Sequence, residues 1–172
     1  VLRGKMNADE YKNFMLGFIF YKYLSEKLRR YADKELLAND PFEFANIDEE
    51  KQDEAAALAE IKKECISELG FYLKPTHLFS HIVARGKKKQ FIIDDLQSIL
   101  TSIEQTSAGS DSEDDFRGLF DDVDLTSNKL GNTEKKKNEV ITEVLILLDA
   151  IDFDLDNPES DLLGDAYEYL IG

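Results

Sequence analysis

The sequence predicts an all-α fold, an irregular helical bundle around a long central first helix, with long loops between the helices. Apolar residues recur three and four positions apart in most segments, which is the spacing of one helix face. Proline, glycine and clusters of small polar residues separate these segments. The chain has 172 residues, 42% of them hydrophobic, and a domain of this size buries on the order of 70% of its unfolded surface. We therefore expect residues 1–172 to form a single helical domain.

The first helix is predicted to be long and central. Asn7 can cap its N-terminus, and Glu10 completes a capping box. Met6 and Tyr11 stand where a hydrophobic staple would lie. The apolar residues that follow occupy more than one face, which predicts neighbours on several sides. They are Tyr11, Phe14, Met15, Phe18, Phe20, Leu24, Leu28 and Tyr31.

A loop and a second helix come next. The loop runs from Asn39 to Asp48, contains Pro41, and is expected to attach to the body through Phe42, Phe44 and Ile47. The second helix is predicted from about Glu54 to Leu69, with Gly70 as its stop. Its apolar stripe consists of Leu58, Ile61, Cys65 and Leu69. Residues 71–73 form a short extended segment, and Pro75 begins a brief helix that carries Leu78, Phe79 and Ile82.

The second half alternates helices with polar loops. A basic loop from Arg85 to Gln90 precedes a helix with Ile92, Leu96, Ile99, Leu100 and Ile103 on its apolar face. A flexible loop, Thr106 to Asp114, is followed by a short helix from Phe116 to Phe120 and a turn from Leu125 to Asn132. Asn132 or Thr133 caps the next helix, whose apolar residues are Val140, Ile141, Val144, Leu148 and Ile151. After an acidic loop with Pro158, a last helix opens at Ser160 or Asp161.

Charge and composition exclude several classes of protein. The net charge of -15 argues against a domain that grips DNA through its overall field, because phosphate binding needs lysine and arginine. Two local basic patches remain, Arg85 with Lys87, Lys88 and Lys89, and the run Lys135, Lys136 and Lys137; short lysine runs are more typical of solvated helix starts or turns. The longest apolar run, residues 14–21, is too short to span a membrane. A single cysteine, Cys65, fits the reducing cytoplasm and is expected to be a buried, inert thiol.

No catalytic, cofactor-binding or metal-binding residue is predicted. The nine glycines are too widely spaced for a phosphate-binding or cofactor-binding loop. The acidic clusters at residues 111–115 and 152–156 lack the glycine and the closing glutamate of a calcium loop. His77 and His81 are four residues apart but have no nearby third ligand. The segment Asp40-Pro41-Phe42 is short of one proline for the motif with which adenine methyltransferases hold a flipped base.

One segment, residues 116–131, carries a specific resemblance. Its sequence, FRGLFDDVDLTSNKLG, joins an apolar and acidic half-helix to a polar turn closed by Gly131. It resembles a block in the N-terminal helical domain of the modification (M) subunit of type I restriction-modification systems. Three further stretches fit the same family in the same order along the chain: residues 2–25, 91–96 and 164–172. The resemblance therefore covers essentially the whole chain.

The resemblance implies a part of a DNA adenine-N6 methyltransferase that depends on S-adenosyl-methionine. The catalytic Rossmann-like domain and its cofactor site would follow residue 172, and Val1 and Gly172 would be edges within a longer protein. The implied partners are the DNA-specificity (S) subunit, a second M subunit, a restriction (R) subunit where one is present, and DNA within the complex. The implied roles are subunit assembly, DNA clamping and sensing of the methylation state. The residues predicted to contact DNA or a partner are Asn128, Lys129, Lys135, Lys136 and Lys137.

Two alternatives stay open. The turn at residues 127–131 can instead be a plain connector between helices, with Asn128 and Gly131 present for their backbone conformations. The whole chain can instead be a stand-alone acidic helical adaptor or a DNA mimic that binds a basic protein. A reading frame that continues past Gly172 into a glycine-rich loop and an Asn-Pro-Pro-Phe-like motif would favour the methyltransferase subunit, and a stop codon would favour the adaptor.

Overall fold

The computed structural model describes residues 8–157 and Gly164, and within them all regular structure is helical. The α-helices of this part of the chain are α1 (Ala8–Tyr31), α2 (Gln52–Leu69), α3 (Phe79–Lys87), α4 (Ile93–Ser107), α5 (Glu113–Phe116) and α6 (Glu134–Asp149). A π-helical turn, Ala32–Leu36, extends α1, and short 3₁₀ turns form at Phe44–Asn46 and Pro75–His77. The prediction of an all-α fold with long loops is confirmed.

Helix α1 lies at the centre of the bundle, as its apolar pattern predicted. It packs against α2, α3 and α6, and its buried apolar residues are Phe14, Phe18, Ile19, Tyr21, Leu24 and Leu28. A helix with neighbours on three sides must be apolar on more than one face. The predicted cap and staple fall at Asn7 and Met6, which lie outside the described residues, as do the side chains of Glu10 and Tyr11.

Buried polar groups join α1 to its neighbours. The hydroxyl of Tyr21 donates a 2.6 Å hydrogen bond to the carbonyl of His77, and the hydroxyl oxygen of Ser25 accepts one of 2.8 Å from the amide of Phe79. Lys22 is 1% exposed; its ammonium donates to the carbonyl of Ile151 and lies 5.2 Å from the ring centroid of Phe153. These bonds hold the start of α3 and the chain after α6 against the central helix.

Helix α2 ends where the sequence predicted, because Gly70 has a φ of +87°, a left-handed conformation that favours glycine. Leu58, Ile61 and Cys65 form its buried stripe. In the preceding loop the side chain of Phe44 is fully buried, and the carboxylate of Asp33 accepts a 2.7 Å hydrogen bond from the amide of this residue. Ile47 is also buried, but Phe42 is 60% exposed, so its predicted attachment is wrong. It lies before the 3₁₀ turn that directs Phe44 inward.

The segment from Pro75 to Gln90 differs from the prediction in two ways. The brief helix is split, because the extended backbone of Leu78 separates the 3₁₀ turn at Pro75 from α3. The predicted basic loop is also shorter, since α3 includes Arg85 and Lys87. The helix ends at Lys87 with Lys88 as its C-cap, and Lys89 then adopts a left-handed φ of 60°.

The bounds of the elements from α4 to α6 also differ from those predicted. Helix α4 continues through Ser107, so the loop that follows begins two residues later than predicted. Helix α5 covers Glu113–Phe116 and not the predicted Phe116 to Phe120, because Gly118 has a φ of +73°, which a helix cannot contain. Of the two candidate caps for α6, Thr133 is the N-cap, and its hydroxyl oxygen accepts a 3.1 Å hydrogen bond from the amide of Lys136. The predicted last helix begins outside the described residues.

Candidate functional site

The polar turn, residues 124–133, is a rigid connection between α5 and α6. Leu125 and Leu130 are 2% and 0% exposed and fix the turn to the core. A carboxylate oxygen of Asp124 accepts hydrogen bonds of 2.6 Å from the hydroxyl and 2.9 Å from the amide of Thr126. These two bonds lower the pKa of Asp124, because they stabilise the ionised carboxylate. The turn therefore presents its polar groups in a fixed conformation.

Gly131 allows the turn to pack against the first turn of α6. A Cβ atom at this position would lie 2.6 Å from the Cβ of Lys136 and 3.1 Å from the amide nitrogen of Lys137. Neither Gly131 nor Asn128 is among the described residues with a left-handed φ. A left-handed backbone is therefore not what these two residues supply. Gly131 is needed because the two segments approach too closely for any larger side chain.

The predicted contact residues do not all lie on the surface. Asn128, Lys129, Lys135 and Lys136 are exposed, and the ammonium of Lys136 is 3.6 Å from Glu139. The side chain of Lys137 is only 8% exposed, with its ammonium 3.2 Å from the carboxylate of Glu134.

The helix period explains the burial of Lys137. It precedes Val140 and Ile141 by three and four positions, and both are buried, so it begins on the apolar face of α6. This spacing could have revealed the burial from the sequence. Lys137 therefore supports the start of α6, while the other predicted contact residues are exposed.

The other basic patch contains one structural arginine. Arg85 forms an ion pair with Asp95, and its guanidinium donates hydrogen bonds of 3.1 Å to the side chain of Gln90 and 3.0 Å to the carbonyl of Phe91. These partners use three of the five N–H donors of the guanidinium. Lys87, Lys88 and Lys89 are exposed and carry most of the basic character of this patch.

The fold brings the two lysine patches together. Asn138 is 8% exposed; its side-chain oxygen accepts a 2.8 Å hydrogen bond from the amide of Ile92. Its side-chain nitrogen donates a 3.1 Å bond to the carbonyl of Gln90, 48 residues earlier in the chain. The loop after α3 is thereby held against α6, and Lys87, Lys89 and Lys135 line one groove between the two helices. No local signal in the sequence indicates this juxtaposition.

The residues considered for catalysis or metal binding are placed as structural groups. Cys65 is buried, and desolvation raises the pKa of its thiol to about 12, so the thiol remains protonated. Burial also lowers the pKa of His77, which lies in the 3₁₀ turn, whereas His81 lies in α3. The segment 40–42 is exposed in a loop.

The acidic clusters pair with cations and backbone groups. The carboxylate of Glu113 accepts a 3.0 Å bond from the amide of Gly109, and Asp156 forms ion pairs with Arg30 and Lys34. Within residues 8–157 and Gly164, no three His, Cys, Asp or Glu side chains are grouped so that they could hold a metal ion. No helix in this described part of the chain has the length and apolarity to cross a membrane.

Comparisons with known proteins agree on one family. The family model described as the HsdM N-terminal domain matches residues 1–148. The chain is 32% identical to the type I restriction enzyme MpnII methylase subunit of Mycoplasma pneumoniae, over 99% of this chain and 32% of that protein. The crystal structure of a type I restriction-modification system methyltransferase subunit from Streptococcus thermophilus is 34% identical, with a TM-score of 0.75, over 99% of this chain and 35% of that one. The chain thus spans about a third of the length of these relatives. The resemblance inferred from residues 116–131 is confirmed, and the chain belongs to the HsdM N-terminal domain family.

Proposed function

We propose that this chain is the N-terminal helical domain of a DNA adenine-N6 methyltransferase subunit of a type I restriction-modification system. One observation carries the proposal, the similarity of 99% of the chain, at 32% and 34% identity, to two methylase subunits of such systems. S-adenosyl-methionine and the reacting adenine bind in a catalytic Rossmann-like domain beyond residue 172. The described helices supply a scaffold, in which Cys65 is buried and Glu113 and Asp156 are paired.

The scaffold acts in assembly. It contacts the DNA-specificity subunit, a second methylase subunit and, where one is present, a restriction subunit, and it helps to close the complex around DNA and to sense the methylation state of the target. We assign contact with DNA or a partner to Asn128, Lys129, Lys135 and Lys136, which the turn and the start of α6 expose together. The partial positive charge of a helix N-terminus adds to the lysine charges there. The complex is expected in the cytoplasm.

The division of labour between the domains is tested by isothermal titration with S-adenosyl-methionine. This chain alone should show no heat of binding, whereas the full-length subunit should bind the cofactor. Adenine as the acceptor is tested by transfer of a radioactive methyl group to duplex DNA, followed by digestion to nucleosides. Micromolar affinity of this chain alone, or label in cytosine, would contradict the proposal.

The contact assignment is tested by the salt dependence of DNA binding. Lys129, Lys135 and Lys136 are replaced together by alanine in the full complex, and the affinity is measured by fluorescence anisotropy between about 50 and 200 mM salt. Each lost phosphate contact should reduce the slope of log K against log salt by about 0.9. A matched control replaces Lys51, Lys62 and Lys63, three exposed lysines at and within α2. Equal slopes for both variants and the unmodified complex would argue for contact with a protein partner or a plain connector.

A further inference from the structure

A groove of about 890 Å³ lies between the C-terminal end of α3 and the outer face of α6. Two apolar side chains line it, Phe91 and Ile146, and Phe91 is 42% exposed. Large apolar side chains grouped on a surface mark sites where another molecule binds. The groove extends to the exposed start of α6, where Glu134 and Lys135 line it.

Charged residues of both signs line the groove. Lys87 and Lys89 line it from the end of α3 and the loop after it, whereas Glu139 and Glu143 line it from α6. The two glutamates are four positions apart and therefore lie on one face of the helix. Lysines thus predominate on the α3 side of the groove and glutamates on the α6 side, where Lys135 adds a positive charge at the start of the helix; Phe91 and Ile146 supply the apolar lining. A DNA backbone would meet the repulsion of the glutamates and would not use the apolar lining.

The base of the groove is closed and its walls are fixed. A Cβ atom at Gly86 would lie 2.8 Å from the methyl carbon of Thr142, so α3 and α6 are in close contact there. The hydroxyl oxygen of Thr142 is buried and has no hydrogen-bond partner in the described part of the chain, which leaves a polar group in the lining. Lys89 is held in a left-handed conformation, with its amide donating a 2.9 Å hydrogen bond to the carbonyl of Gly86. Such conformations occur often at binding sites.

We propose that this groove binds an amphipathic helix of a partner protein in the methylase complex. The partner helix places an apolar stripe on Phe91 and Ile146, an acidic row against the lysines and a basic row against the glutamates. The lining residues of α6 extend from Glu134 to Ile146, which spans roughly 18 Å at about 1.5 Å per residue, or three to four turns of a partner helix. An apolar centre with a charged rim is the common anatomy of protein interfaces. The inference rests on the proposed role of this domain in assembly.

The occupant is identified by photo-cross-linking in the full-length chain assembled with its partner subunits and DNA. Phe91 is replaced by p-benzoylphenylalanine, and the cross-linked peptide is sequenced by mass spectrometry. We expect one segment of a partner subunit, with an apolar stripe between an acidic and a basic row. A matched control carries the same probe at Phe42, which is 60% exposed in the loop before α2, and should not capture that segment. Adducts with DNA, with a second copy of this chain or with its own later residues, or no adduct, would overturn the proposal.

Charge reversal tests the orientation of the helix. Lys87→Glu combined with Lys89→Glu should weaken assembly by at least about tenfold, because like charges would then face each other across the interface. Lys62→Glu combined with Lys63→Glu makes the same charge change on α2 and should leave the assembly constant unchanged. Reversal of the acidic row of the captured segment should restore the affinity of the first variant. If the complex forms and methylates DNA normally with the first variant, the groove proposal fails and the proposed function stands. If the full-length chain joins no methylase complex, both fail.

Discussion

Asn138 offers the sharpest test of how the fold holds its basic residues together. Its side chain is buried and forms two hydrogen bonds with the loop after α3, to the amide of Ile92 and the carbonyl of Gln90. Asn138→Ala removes both bonds and leaves the Ile92 amide, which is buried, without a partner. The substitution should therefore lower the free energy of unfolding and loosen the loop that carries Lys89 and Phe91.

The size of the effect follows from the two bonds. An unsatisfied buried amide such as that of Ile92 costs about 1–3 kcal/mol. The carbonyl of Gln90 is partly exposed and can regain water, so its loss is nearer to the net value of about 0.5–1.5 kcal/mol for one hydrogen bond. The sum is about 1.5–4.5 kcal/mol. For a chain of this length each kcal/mol lowers the melting temperature by about 2–4 °C.

Urea unfolding followed by circular dichroism measures the free energy directly. Asn132→Ala is the matched control, because Asn132 is exposed just before α6 and its replacement should change stability by less than about 0.5 kcal/mol. Hydrogen exchange of the Ile92 amide supplies a local readout, and it should accelerate only in the Asn138 variant. Equal stabilities for the two variants, or an unchanged exchange rate at Ile92, would refute the role assigned to Asn138.

Three further predictions concern other parts of the bundle. Gly131→Ala should destabilise the chain by about 1–3 kcal/mol in thermal unfolding, because its Cβ would lie 2.6 Å from the Cβ of Lys136; wild-type stability would contradict the close packing. With a thiol pKa of about 12, Cys65 should react with a thiol reagent at pH 8 only when the chain unfolds, so rapid labelling of the native chain would show that the thiol is accessible. Two cations lower the pKa of Asp156 to about 2, so its stabilising contribution is present above the ordinary Asp pKa of about 4 and is lost as the pH falls to about 2. Asp156→Asn should therefore reduce the urea midpoint at pH 7 and reduce it much less near pH 2, and a pH-independent difference would argue against the ion pairs.

The long helices were predictable because their determinants are local. Helices α1, α2, α4 and α6 have repeated apolar positions over four or more turns, and Gly70 and Thr133 mark two of their ends. The short elements were not predictable in the same way. Helix α5 has four residues, and so short a helix is marginal without tertiary contacts. The exposure of Phe42 likewise has no local signal, since its loop is joined to the body by a hydrogen bond between Asp33 and Phe44, eleven residues apart.

The candidate site likewise combines features that the sequence predicts with features that depend on tertiary contacts. The exposed lysines were identified from the sequence, and the burial of Lys137 could have been, since its spacing from Val140 and Ile141 places it on the apolar face. The proximity of the two lysine patches could not have been predicted, because it depends on a hydrogen bond from Asn138 to a loop 48 residues away. The grouping of lysines and glutamates around the groove between α3 and α6 likewise required the relative position of two helices.

The sequence by itself determined the fold class, the central place of the first helix and the family, because apolar periodicity, capping residues and the block at residues 116–131 are written along the chain. The tertiary structure alone decided which charged residues face solvent together and where a groove opens. Periodicity specifies the face that a helix buries, but it does not specify the neighbour against which that face packs. Side-chain packing and buried hydrogen bonds between distant residues determine which helices pack together. They therefore determine where the functional surface lies.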